Sequence, residues 1–217
     1  MDILLENSPL LLKGLVSTIT LSISCLLLSV VAGTIIGVLR TTRNVIVLNL
    51  AKLYINLFRG LPILVTLFMT FFLLPEFNIE LNPYFSAMAG LSVWCSANIA
   101  EAVRGAIQSI PPTQTEASLS LGLKPLQTMR YVILPQAVRR MLPSIISLLA
   151  NMVHATSLSV LIGNMELLKT AQLIIERIEV MQGIPVALMF YFVILLMYFV
   201  ICYPLSLLSK RMEKAYS

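Results

Sequence analysis

The sequence predicts an all-α membrane protein of about five transmembrane helices, with the N-terminus outside and the C-terminus cytoplasmic. Three observations predict it. The 217 residues are 58% hydrophobic and 12% charged, where a soluble domain carries about 25% charge. The mean hydropathy is +0.91. The charges also leave long gaps: Gly14–Leu39, Leu81–Ala100, Met141–Met165 and Val180–Ser209 hold no Asp, Glu, Lys or Arg. Each reaches or passes the ~20 residues that a helix needs to cross a hydrocarbon core.

In chain order, the start Met1-Asp2-Ile3-Leu4-Leu5-Glu6 is acidic and lacks the basic segment of a cleaved signal. The first apolar run is therefore expected to be a retained span, residues 15–39. Its Gly33-x-x-x-Gly37 pair permits close approach of another helix. The second apolar stretch is divided. Gly60–Pro75 is too short alone, but Asn44–Phe58, interrupted only by Lys52, precedes it. The two are expected to form one span, 45–75, bent near Gly60-Leu61-Pro62, because proline removes a backbone donor and crowds the preceding turn. Further spans are expected over 82–109, 137–163 and 184–209, with a cytoplasmic loop over 111–136, all in one domain. Cys25, Cys95 and Cys202 fall inside spans without metal or redox spacing, as small packing residues do.

The basic residues set the orientation. With the N-terminus outside, Arg40, Arg43, Lys52, Arg59, Arg104, Lys124, Arg130, Arg139, Arg140, Lys210, Arg211 and Lys214 all lie inside. Only Lys13, Lys169 and Arg177 of the 15 Lys and Arg remain outside, as the positive-inside rule requires. The outer loops are then Glu76–Pro83 and a longer one around Gly163–Gly183, with Glu166, Lys169, Glu176, Arg177 and Glu179.

The largest inner segment is Ile110–Arg140. Pro111-Pro112 ends the third span. Thr113-x-x-Glu116 has capping-box spacing and should open a short helix over Gln114–Leu121. Gly122 suits the left-handed position after a helix, and Lys124-Pro125 opens a second helix with proline at its first position. Pro135 is expected to limit that helix before the fourth span begins near Met141. Two short helices folded back on each other would then face the cytosol, with Leu119, Leu121, Leu123 and Leu126 in need of a covering partner. A plain interhelical loop is the other reading of these residues.

Glu116-Ala117-Ser118-x3-Gly122-x9-Val132-Ile133-Leu134-Pro135 resembles the EAA loop of ATP-binding-cassette importer permeases: Glu-Ala-Ala, three residues, Gly, nine residues, then Ile-x-Leu-Pro. Ser118 replaces the second alanine and Val132 the isoleucine. Tyr54-Ile55-Asn56-Leu57-Phe58-Arg59-Gly60-Leu61-Pro62, Glu101-Ala102-Val103-Arg104-Gly105-Ala106-Ile107, Arg130-Tyr131-Val132-Ile133-Leu134-Pro135-Gln136-Ala137 and Thr156-Ser157-Leu158 are similar to segments of the polar amino-acid subgroup, whose members carry glutamine, histidine, arginine, glutamate or cystine. The resemblance implies a permease subunit in the bacterial cytoplasmic (inner) membrane. It also implies three kinds of partner: an ABC ATPase subunit dimer that holds the ATP and Mg, a second permease chain (identical or homologous), and an extracytoplasmic solute-binding protein. Glu116, Ala117, Gly122, Leu123, Leu134 and Pro135 would couple to the ATPase, and no cofactor would be bound by this chain. The receptor would meet the outer loops, touching Glu76–Glu80 and Glu166–Arg177. In one place the chain departs from the subgroup: His154-Ala155 stands where many members have Lys-Asp before Thr-Ser-Leu, so an acid that could face a substrate ammonium is missing.

Two polar stripes at helical spacing are candidates for the substrate path. Ser144, Ser147, Asn151 and His154 share a face of the fourth span; Gly90, Trp94, Asn98, Glu101 and Gly105 share a face of the third. Intramembrane polar groups face a cavity or another helix. Asn98, Asn151, His154, Trp94, Ser147 and Ser157 are taken as path residues, with interhelical hydrogen bonding as the alternative. Arg59, Pro62, Glu101 and Arg104 are assigned structural roles, Glu101 pairing locally with Arg104.

Other function classes fit less well. No HExxH, GxSxG or pair of intramembrane acids suggests an enzyme, and His154 is the single histidine. No GxxxxGK[ST] sequence occurs, so ATP hydrolysis by the P-loop route would have to come from another chain. A self-sufficient ion-coupled transporter or channel is the alternative, but no internal duplication of the kind common in secondary transporters is visible.

Overall fold

A computed structural model describes residues 2–42 and 44–216. All regular elements among the described residues are helical; Arg43, one of the basic residues used above for orientation, lies outside them, as does Met1.

The chain opens with α1 (Asp2–Leu39), followed by α2 (Val45–Gly60) and α3 (Ile63–Phe68). The last continues through a π turn, Met69–Leu73, and a 3-10 turn, Leu74–Phe77. Next come α4 (Pro83–Gln108), α5 (Pro112–Ser120) and α6 (Pro125–Thr128). A second π turn, Met129–Ile133, leads into α7 (Leu134–Thr156), which ends in a 3-10 turn, Ser157–Ile162. Helices α8 (Leu167–Gln182) and α9 (Ala187–Tyr216) complete the fold.

Helix α4 is the hub, packed by α1, α2, α3 and α7, while α9 lies along α7. The expected Gly33–Gly37 pair explains how α1 comes so close. A Cβ at Gly33 would stand 2.6 Å from the Ser96 carbonyl oxygen, and one at Gly37 would stand 2.7 Å from that of Ala100. Only glycine lets the two backbones meet there. Ser29 Oγ donates to the Ser92 carbonyl at 3.0 Å along the same seam. Because α4 is enclosed by protein, it tolerates Ser86, Ser92, Ser96 and Asn98 within a helix of 26 residues. Ile3–Leu39, Pro125–Ile162 and Ala187–Ala215 are each long and apolar enough to cross a bilayer, and Val45–Gly60 with Ile63–Phe77 forms a bent fourth candidate.

Four boundaries differ from the sequence expectation. The first helix begins at Asp2 rather than near residue 15, because its start has protein to pack on: Leu11 and Leu15 join a second core cluster with Leu167, Ala171 and Ile174 of α8 and Phe190 of α9. The bend at Gly60-Leu61-Pro62 is a break of 105° between α2 and α3, far more than a kink. Gly163–Gly183, read as an outer loop, is largely helix α8. Fourth, Pro135 does not separate α6 from the long helix that follows. The Leu134 N–H reaches back to the Met129 carbonyl, a π-type bond that takes up an extra residue. Pro135 then falls in the first turn of α7, where a missing N–H costs little. Pro125–Ile162 is thus one continuous helical run.

Candidate functional site

The knob between α4 and α7 is built from α5, α6 and the π turn. Thr113 does not cap α5 as its spacing suggested. The helix starts at Pro112 with Pro111 in the cap position and no side-chain cap, because a proline preset for helical φ takes the first position. The helix ends as expected. Gly122 has φ +81°, its N–H donates to Leu119 O at 2.9 Å, and Leu123 N–H donates to Ser118 O at 3.1 Å. This is a Schellman closure, which needs a residue without Cβ at the left-handed position. The chain then turns onto α6, where Lys124 N–H donates to Gln127 Oε1 at 2.8 Å. Inside the knob, the hydroxyls of Ser118 and Thr128 hydrogen-bond at 2.9 Å, both residues being buried. Outside it, Leu119, Leu121 and Leu126 are 46%, 83% and 80% exposed. Glu116, Ala117 and Pro135 are also exposed, while Leu123 and Leu134 are half-buried. The knob therefore presents leucines on its surface, and the helical run that begins at Pro125 continues from it into α7.

Helix α7 carries one polar stripe of the sequence on an open face: Ser144, Ser147, Asn151 and His154 are all exposed. The α4 stripe divides. Asn98 is half-buried, and its side-chain amide donates to Trp94 O at 2.9 Å. Trp94 packs against the main core. Gly90 is not on a path, since it is pressed against α3, where a Cβ would stand 2.9 Å from Leu67 Cα. Ser157 sits in the 3-10 turn after α7 and donates to His154 O at 2.7 Å. The fold brings Asn98 and Glu101 of α4 together with Ser144 and Ser147 of α7 on the wall of one cavity of about 730 Å³, which Arg59, Arg140 and Glu213 also line. Asn151, His154 and Trp94 are not part of that wall; the first two lie farther along the same face of α7.

Glu101 is the electrostatic centre of this region. The predicted partner Arg104 donates from Nε to Oε2 at 3.1 Å and from Nη2 to Oε1 at 2.5 Å. Two further guanidiniums converge on it. Arg40, just past the end of α1, donates to Oε2, and Arg59 at the end of α2 stands 3.7 Å away. One carboxylate thus ties the ends of α1 and α2 to α4. Sequence reasoning found the local pair and missed the other two. The signal was present, since Glu101 is the single acid between Glu80 and Glu116 among basic residues assigned to the same face. Arg140 makes a separate tie, donating to Ser109 O at 2.6 Å and to its Oγ at 2.9 Å, which joins the start of α7 to the end of α4.

The expectation that Glu166 meets a receptor is overturned. Glu166 is completely buried. Its carboxylate caps α8, accepting from Lys169 N–H at 2.7 Å and Leu168 N–H at 3.0 Å. It also accepts from Tyr198 of α9 at 2.9 Å and Thr18 of α1 at 3.4 Å. Burial pushes its pKa above the usual carboxylate range, with the four donors pulling the other way. Glu76 and Glu80 remain exposed. Arg177, also exposed, is tied to Asn7 Oδ1 at 2.7 Å.

Comparison with known proteins gives consistent results. The family described as the inner membrane component of binding-protein-dependent transport systems matches residues 29–217. The chain is 34% identical over 209 residues to the probable glutamine ABC transporter permease protein GlnP of Bacillus subtilis (strain 168), covering 96% of this chain and 94% of that one. It is 35% identical over 208 residues to the glutamine transport system permease protein GlnP of Escherichia coli (strain K12), covering 95% and 92%. Among solved structures, that of an amino acid ABC transporter with histidines superposes with a TM-score of 0.85 at 28% identity, covering 98% of this chain and 96% of that one. The inward-facing MetNI methionine ABC transporter shares the fold, with a TM-score of 0.76 at 21% identity and 96% coverage of both chains.

Proposed function

The chain belongs to the inner membrane components of binding-protein-dependent transport systems, and from that premise we propose that it is the permease subunit through which an ABC importer moves a polar amino acid across the cytoplasmic membrane. It is not the catalytic subunit. ATP and Mg are held by a partner ATPase dimer, an extracytoplasmic binding protein delivers the solute, and a second permease chain completes the path. In this reading α1, the bent pair α2–α3, α4, α7 and α9 are the five spans, with the N-terminus outside and the C-terminus cytoplasmic, as the distribution of basic residues supports.

One observation carries the mechanism: the knob with its exposed leucines and the polar stripe Ser144–His154 are joined by a single helical run, Pro125–Ile162. A docked ATPase that covers Leu119, Leu121 and Leu126 also stabilises the complex by burying apolar area. When ATP closes the ATPases, displacement of Glu116, Ala117, Gly122 and Leu123 passes through Leu134 and Pro135 along the continuous helix into α7. The open polar face of α7 lies along the path and against the second permease, since hydroxyls, an amide and an imidazole are costly to leave in lipid. Asn98, Ser147, Asn151 and His154 then contact substrate, with Trp94 and Ser157 supporting their helices. Arg59, Pro62, Glu101 and Arg104 hold the inner ends of the spans.

Reconstitution tests this reading. The permease–ATPase complex in proteoliposomes, with its binding protein outside and ATP inside, should accumulate a polar amino acid and hydrolyse ATP faster when loaded binding protein is present. Uptake by the chain alone under an ion gradient would contradict it.

A further inference from the structure

Helix α9 has a packed side and an open side. It lies along α7, where the side chains of Cys202 and Ser209 reach the carbonyls of Ala150 and Pro143. On the other side Phe192, Phe199, Val200, Tyr203 and Leu207 are exposed, with the rings of Phe199 and Tyr203 stacked at 5.0 Å. At about 100° of turn per residue these five share roughly one third of the helix circumference. Lys210, Arg211 and Lys214 continue the same strip, and all three are exposed. With Leu207 and Glu213 they border one recess. Glu213 is turned towards the side of Ser209 and also lines the cavity that Arg140 borders. Three cations against one carboxylate leave the recess positive.

The cations also stand at a defined depth. From Ala187, where α9 begins, to Ser209 no Asp, Glu, Lys or Arg occurs. At about 1.5 Å per residue that run measures ~34 Å, close to the ~30 Å of a hydrocarbon core. Lys210, Arg211 and Lys214 therefore emerge where phospholipid headgroups lie, directly below an apolar strip that acyl chains can cover. A second copy of the chain is a poorer occupant. Packed on this strip about a two-fold axis along the membrane normal, it would set its own three cations against these, and like charges so juxtaposed are costly.

We infer that the end of α9 is a binding site for one anionic glycerophospholipid. Its phosphate is held by Lys210, Arg211 and Lys214, and its chains run along Leu207, Tyr203 and Phe199. Each cation near an anionic headgroup contributes about a fivefold gain in affinity. The lipid also secures the end of the helix that packs on α7 through Ser209 and Cys202.

The full chain, purified in detergent within its permease–ATPase complex, is titrated with phosphatidylglycerol or with phosphatidylcholine of the same acyl chains, and bound lipid is counted by native mass spectrometry. The wild type should bind phosphatidylglycerol at least tenfold more tightly than phosphatidylcholine, and salt should weaken the binding. Replacing Lys210, Arg211 and Lys214 together by Gln should lower the affinity on the order of a hundredfold. The pair Lys210→Arg and Lys214→Arg should keep it. A control with Lys13→Gln, Lys52→Gln and Lys169→Gln removes the same charge elsewhere and should also keep it. In vesicles of both lipids, a photoreactive group on Tyr203→Cys should label phosphatidylglycerol. Four results would overturn the inference: equal binding of the two lipids by the wild type, equal losses in the control and the triple variant, displacement of the lipid by an equal concentration of inorganic phosphate, or labelling of a second permease chain in place of lipid. None of these readouts needs transport, so a complex that binds the lipid yet imports nothing would sink only the importer reading.

Discussion

Ser118 and Thr128 face each other across the knob between α4 and α7, their hydroxyl oxygens 2.9 Å apart and both side chains buried. Ser118 stands at the second alanine of the EAA pattern, so its extra oxygen has found a partner on the returning helix. Removing one hydroxyl strands the other in a dry site, and each of Ser118→Ala and Thr128→Val should destabilise by about 1 kcal/mol. The double variant should cost less than the sum of the two. Thermal unfolding of the purified complex, run as a double-mutant cycle, measures the difference; strict additivity would show that the pair does not interact.

Gly122 closes α5 at φ +81°. Alanine there should cost about 1–2 kcal/mol and leave transport coupled. Proline cannot adopt that angle, so Gly122→Pro should break the reversal between α5 and α6. ATPase activity should then persist in the complex while uptake per ATP collapses. A wild-type ratio of uptake to hydrolysis in that variant would contradict the coupling role of the knob.

Glu101 holds the ends of α1 and α2 to α4 through Arg40 and Arg59 and pairs with Arg104 within α4. Glu101→Gln leaves those guanidiniums without their shared anion and should destabilise by roughly 1–3 kcal/mol. Arg59→Gln should cost the least of the three arginine substitutions, because its contact is the longest and most exposed and surface pairs contribute little. The ranking of melting temperatures checks this.

Glu166 gives a pH dependence with a definite sign. Its pKa in the fold is raised by burial, so the folded state binds the proton more tightly than the unfolded one. The contribution of this group to stability is complete below the ordinary glutamate value of about 4.3, and it is lost as pH rises through the higher folded-state value. Glu166→Gln mimics the neutral form and should flatten the stability profile in that window. Melting curves of both proteins over that range decide the matter; parallel profiles would exclude it.

Asn151 and His154 are the exposed polar groups on α7 that lie beyond the cavity wall. Alanine at either should change Km or Vmax for uptake by several-fold, as loss of one or two hydrogen bonds to substrate implies, with little change in ATPase assembly. Unchanged uptake kinetics in both variants would remove them from the path.

The sequence by itself determined the solvent of this protein, its helical class and the place of the two-helix knob in the chain. Those features follow from local quantities: charge-free length, the placement of Lys and Arg, and a glycine and prolines whose backbone restrictions act within a few residues. It also carried the GxxxG contact and the two polar stripes, which are matters of helical period. Only the tertiary structure decided which stripe members meet in space. Gly90 turned out to serve packing, Glu101 gathered Arg40 and Arg59 from other helices, and Glu166 went from a presumed outer contact to a buried cap on α8. Pro135, a helix breaker by local rules, was absorbed by a π turn, so α6 and the α7 stripe lie on one continuous helical run. Such outcomes depend on residues distant in the chain, and the energy that selects them is the cost of leaving polar groups unpaired in a low-dielectric interior. No window of neighbouring residues contains that information.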